Sequence, residues 1–115
     1  MSLSEQVSQR AKVAEAIDAF VEMANNHPGT PEGYYFEAEP SGSKYRIVMR
    51  YYGSASVHAF VDGDTGDLIK AASWKVPAKG KNGLAVRYNL LSEMDVVARN
   101  FVWSGSYLYN DWKRR

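Results

Sequence analysis

Cysteine is missing from all 115 residues. That excludes disulfide scaffolding, thiol catalysis and cysteine-based zinc sites, and it is compatible with a reducing compartment. Histidine occurs twice, as His27 and His58. No His/Glu pair stands at helical spacing, so no metal centre is expected. No apolar run approaches the roughly 18–20 residues that span a membrane. The N-terminal stretch MSLSEQVSQRAKVAEAI is amphipathic and mixed in charge, unlike a signal or transit peptide. The expectation is a cytoplasmic protein without membrane association. There is no Gly-x-Ser-x-Gly elbow, phosphate loop or dinucleotide fingerprint. No catalytic residue and no cofactor are assigned, although scattered Asp, His and Tyr side chains can form an active site that leaves no local motif.

What is present suits a folded chain. Hydrophobic residues make up 45% and aromatic residues 13%, which argues against disorder. The length predicts one domain over residues 1–115. Charge is unevenly placed. Residues 1–40 carry Arg10 and Lys12 against seven acids, a net −5, and residues 41–115 carry twelve basic and six acidic residues, a net +6. Such a split either polarises the surface field or is neutralised inside the fold.

The spacing of Val7, Ala11, Ala14, Ile17, Phe20, Val21 and Ala24 predicts an amphipathic helix over residues 4–26. Ser2 and Glu5 fit a capping box, and Pro28 and Gly29 stop the helix. Strand-like runs follow at residues 34–39, 44–52, 57–62 and 67–72, separated by PSGS, GSAS and GDTG. In the second run Tyr45, Ile47, Met49 and Tyr51 share one face. Short turns between consecutive runs imply an antiparallel meander. A helix on one face of it gives an α+β domain of about four strands. LAVRYNLL reads as a further short strand. SEMDVVARNFVW reads as a helix with Ser92 as N-cap, and VVARNFVW alternatively as a strand. The tail YLYNDW is expected to pack, on its own sheet or across a symmetric homodimer.

DGDTGD invites a calcium reading. Asp62 and Asp64 stand at loop positions one and three, but Gly66 and Asp67 fall at five and six, and Ser73 replaces the glutamate at twelve. A hairpin connection is the better fit. His58, beside Phe60 in a strand, reads as a packed or surface residue, and His27 as a helix end.

The segment KAASWKVPAKGKNGLAVRYN concentrates positive charge without a single acid. Lys70, Lys75, Lys79, Lys81 and Arg87 are candidates to neutralise phosphates, and Trp74 or Tyr88 to stack on a base. Interleaved basic and aromatic residues suit single-stranded or flexible nucleic acid better than groove reading. The competing reading is a solvated loop whose Trp74 belongs to the core.

FVDGDTGDLIKAASWKVPAKGKNGLAVRYNLL resembles a pattern in small, uncharacterised bacteriophage proteins. The matching positions are Asp62, Thr65, Gly66, Asp67, Lys70, Ala72, Ser73, Trp74, Lys75, Pro77, Ala78, Lys79, Arg87 and Asn89. The segment GKNGLAV between Lys79 and Arg87 departs from the pattern. The resemblance implies a phage protein acting in bacterial cytoplasm and transfers no activity. Two functions are therefore weighed. One is a non-enzymatic accessory protein that binds nucleic acid through the basic loop. The other is a factor that engages a host or phage protein through a strand edge or an aromatic surface.

Overall fold

The computed structural model describes residues 2–81 and 83–109. Helix α1 runs Leu3–Asn26. The Ser2 hydroxyl accepts from the Glu5 amide, and the Glu5 carboxylate accepts from the Ser2 amide, so two orphan donors are satisfied reciprocally. The helix ends at His27, which is extended, as a residue before proline prefers to be.

Burial corrects the expected helix face. Val13, Ile17, Phe20 and Ala24 are buried, whereas Val7 is 61% exposed and Ala11 is exposed. At 1.5 Å per residue the helix is about 36 Å long, and only its second half lies over the core. Beside the overhanging half, Arg10 reaches the turn after the third strand and pairs with Asp64.

The strands are β1 (Tyr34–Ser41), β2 (Lys44–Tyr51), β3 (Ser54–Asp62), β4 (Asp67–Ile69), β5 (Lys79–Gly80), β6 (Gly83–Leu84) and β7 (Val86–Asn89). Five of them form an antiparallel sheet in the order β1-β2-β3-β4-β7, and β5 pairs with β6 separately. The α+β fold with a helix over an antiparallel meander is therefore as expected, and the further short strand read in LAVRYNLL joins the sheet as β7. Two boundaries move. The last three residues of GSAS, Ser54 to Ser56, belong to β3, and the chain reverses at Tyr52 and Gly53. Strand β4 stops at Ile69, because the Lys70 amide turns to the Ala85 carbonyl and the Lys70 carbonyl accepts from Ala78.

The sheet carries a bulge. Ile47 pairs with Ala59 and Val48 with Val57, which leaves His58 as the extra residue. A bulge breaks the two-residue alternation. His58 therefore shares the helix side with Ala59 and contacts the rings of Phe20, Phe36, Phe101 and Tyr107. Strict alternation would have placed it with Phe60 on the far face.

Helix α2 covers Met94–Asn100, so the helical reading of this segment holds. Its N-cap is Glu93, not Ser92. The Ser92 amide is already engaged by the Asn89 side chain. A 3-10 turn at Ser106–Tyr109 buries Tyr107 and Leu108 against the core and leaves Tyr109 56% exposed. The tail thus packs at Tyr107 and Leu108, with adjacent residues inward rather than alternating as in an extended segment. Trp112, Lys113, Arg114 and Arg115 lie outside the described residues.

Edge strand β1 is closed by this chain itself. The Asn25 amide side chain donates to the Phe36 carbonyl and accepts from the Phe36 amide. Pro40, two pleats along the same edge, has no amide proton to offer. Such devices blunt an edge against pairing with another chain. No helix among the described residues is long and apolar enough to cross a membrane.

Candidate nucleic-acid interface

The basic segment lies across the side of the sheet that faces away from α1. Its framework is backbone hydrogen bonding. Ala78 and Ala85 bond each other and bracket Lys70, and the Ala72 and Ser73 amides both donate to the Val76 carbonyl. Pro77 takes part only in an isolated bridge with Ala71, a place that does not need its missing donor. On this side Val48, Phe60 and Ile69 are buried although they point away from the helix.

Arg46 joins the loop to the sheet. Its guanidinium lies 5.8 Å from the Phe60 ring centroid and 4.8 Å from that of Trp74. Its Nε donates to the Trp74 carbonyl at 2.7 Å and its Nη1 pairs with Glu39 at 2.6 Å. One indole face is therefore occupied by a cation held from three sides. Trp74 stays 38% exposed. The indole is fixed without being enclosed.

The charge split is partly neutralised within the fold. Glu37 and Glu39, from the acidic part of the chain, pair with Arg50 and Arg46 on β2. Hydrogen bonding to Glu37 holds the Arg50 proton more tightly than usual. The loop lysines differ. Lys75, Lys79 and Lys81 are exposed, and none is paired with a carboxylate among the described residues.

The other candidates separate from them. Lys70 is half-buried, with its ammonium 4.2 Å from the Tyr109 ring centroid. Arg87 donates through Nε to the Leu108 carbonyl at 2.7 Å and so anchors the 3-10 turn. Tyr88 is only 4% exposed and packs near Tyr107. It pairs with Leu68 on β4 and takes the same inward direction. Tyr88 is removed from the candidate stacking residues, because a ring in the core presents no face to a base.

The acidic turn is a hairpin connection built on side-chain bonds. Asp62 Oδ1 accepts from the amides of Asp64 and Thr65, Asp64 pairs with Arg10, and Asp67 accepts from Asn89. Each carboxylate is already used. Gly66 takes a φ of 82° that favours glycine. Asn89 is the centre of this clasp. Its Nδ2 also donates to the Thr65 carbonyl, and its Oδ1 accepts from the Leu91 and Ser92 amides. Several residues between Asp62 and Asn89 thus hold the β4 hairpin to β7 and α2. No cluster of three or more His, Asp or Glu side chains suited to a metal occurs among the described residues.

Sequence reasoning did not find the buried polar pair of His58 and Tyr107. Nε2 and the phenol oxygen are 2.8 Å apart. Burial lowers the His58 pKa to about 4, opposed in part by a hydrogen bond to the Trp103 backbone. Burial also raises the Tyr107 phenol well above its ordinary value. Both are neutral near pH 7. Enclosed by aromatic rings, they act as a satisfied polar contact within the core. The bulge that brings them together leaves no signature in VHAFVD.

No curated protein and no solved structure matches the chain. A family match spans residues 1–110, nearly the whole chain: the chain belongs to the family of unknown function DUF7717.

Proposed function

We propose that this chain is a non-enzymatic bacteriophage accessory protein that binds single-stranded nucleic acid in the bacterial cytoplasm. The contact surface is the loop bearing Trp74, Lys75, Lys79 and Lys81. One observation carries the reading. An indole fixed by Arg46 stands partly exposed on a loop whose three lysines have no carboxylate partner among the described residues. A held aromatic face suits stacking on a base, and unpaired ammonium groups suit phosphates. Lys70 and Arg87 flank the surface and position the loop and the 3-10 turn. The phage assignment and the cytoplasmic location rest on the pattern spanning Asp62 to Asn89.

The test is direct titration of a fluorescein-labelled single-stranded oligonucleotide at low salt. Saturable binding that quenches tryptophan fluorescence is expected. Absence of binding at low salt refutes the reading. At the β1 edge the strand-pairing form of the protein-binding alternative is disfavoured, because Asn25 bonds Phe36 and Pro40 lacks an amide proton.

A further inference from the structure

We propose that Tyr34, Tyr51, Tyr52 and Trp103 form a docking shelf for a proline-rich segment of a partner protein, bound as a polyproline II helix. Four rings are in unbroken contact. Tyr34 stacks on Tyr51 with centroids 4.2 Å apart and planes 19° apart. Tyr52 meets Tyr51 edge-on at 4.6 Å, and Trp103 lies 4.7 Å from Tyr34. Tyr51 and Tyr52 remain 40% and 78% exposed.

Two backbone features set this shelf apart from ordinary surface aromatics. Tyr52 has a φ of 54° and is the one described non-glycine residue with a positive φ. That conformation is a real outlier for a bulky residue, and glycine or asparagine serves such a turn at lower cost. The chain therefore accepts local strain in order to hold a large ring in water. Gly33, at φ 94°, brings its backbone against the same rings. A Cβ there would lie 3.0 Å from Tyr51 Cε1 and 3.4 Å from Tyr52 Cε2. The rings are braced rather than free to collapse.

The chemistry of the shelf selects its occupant. The adjoining cleft, about 220 Å³, is lined by Tyr34, Met49, Tyr51, Ser54, Ala55 and Ser56. No lining residue carries a charge, so a phosphate or a charged peptide has no partner there. Its polar side chains are hydroxyls, which can donate. A proline-rich helix offers carbonyls, lacks amide donors and presents flat apolar rings. Aromatic grooves recognise such segments. Addition of the peptide as a β-strand is blocked on this side by Asn25 at Phe36. The site is independent of the nucleic-acid loop. Tyr34 and Met49 alternate onto the helix side, whereas Trp74 packs on Arg46 on the opposite side.

The experiment is an amide NMR titration of the full chain with acetylated deca-L-proline. Saturable shifts at Tyr34, Tyr51, Tyr52, Ser54 and Ser56 are expected. Tyr52→Asn removes the ring and relieves the backbone, so it should melt no lower than the parent while binding at least about ten-fold more weakly. Combined alanine substitution of Lys75, Lys79 and Lys81 should leave peptide affinity unchanged. The proposal is overturned if millimolar peptide leaves these amides in place, or if Tyr52→Asn binds like the parent. It is also overturned if a neutral trisaccharide such as maltotriose moves them and deca-proline does not.

Discussion

The two sides of the sheet are buried by different means. On the α1 side, Phe20, Phe36, Phe101 and Tyr107 meet His58 around a strand bulge, and α1, α2 and the 3-10 turn close over them. On the other side, where Val48, Phe60 and Ile69 are buried, lies a loop with two-residue strands, and an arginine between two rings pins it down. The first arrangement spends its aromatics on packing. The second keeps Trp74 partly exposed and its lysines unpaired. The enclosed aromatic core therefore lies on the helix side, with the exposed Tyr51 and Tyr52 at its rim, and the loop side carries the surface proposed for nucleic acid.

Aromatic truncation gives the largest contrast. Phe20 is fully buried, and Phe20→Ala should cost about 3–5 kcal/mol in urea unfolding. A loss below about 1 kcal/mol would break the assignment of the stabilising core to this side.

Acid should strike the same side almost as hard. The His58 pKa is lowered from 6.5 to about 4 in the folded protein. The unfolded chain then binds the proton more readily than the folded one. The stability from neutral His58 is fully present above about pH 6.5, declines as pH falls toward about 4 and is flat below that. At about 1.4 kcal/mol per pH unit the loss is about 3 kcal/mol. Urea melts of the parent and of His58→Gln should therefore converge as pH falls through this window. Parallel pH profiles for the two proteins would contradict the burial of a neutral imidazole.

Trp74→Ala should behave as Phe20→Ala does not. It removes a half-open ring and one cation–π contact, for about 1 kcal/mol of stability, while oligonucleotide binding weakens by about 1–3 kcal/mol. Unfolding as severe as that of Phe20→Ala would make Trp74 a core residue. The smallest effect is expected at the acidic turn. Millimolar calcium should leave the melting temperature unchanged, since Asp62, Asp64 and Asp67 already have partners within the chain. A rise of several degrees would reveal an ion site, because a ligand of the folded state must stabilise it.

Local signals in the sequence were sufficient for much of this architecture. Ser2 and Glu5 mark the helix start because a cap is a contact between near neighbours. GDTG marks a hairpin because its side chains satisfy nearby amides. What could not be read depends on distant partners. Val7 and Ala11 have the right period for a buried face, but where the core ends decides that they stay exposed. Tyr88 looks like a stacking ring until its pairing with Leu68 turns it inward. His58 changes sides through one extra residue in β3, and that is defined only against β2. The candidate loop was legible as a concentration of charge. The clamp that holds Trp74 was not, because Arg46 comes from β2, distant in sequence.

The salt dependence of oligonucleotide binding tests whether the loop lysines contact phosphates. The parent protein and the variant with Lys75, Lys79 and Lys81 all changed to alanine should be titrated with one single-stranded oligonucleotide over a range of salt concentrations. Each phosphate contact contributes about 0.7 to the slope of log affinity against log salt for a single strand. The variant should bind more weakly, with a slope lower by about two, and keep the parent's stability within about 0.5 kcal/mol. Equal slopes for the two proteins would contradict phosphate contact by these lysines.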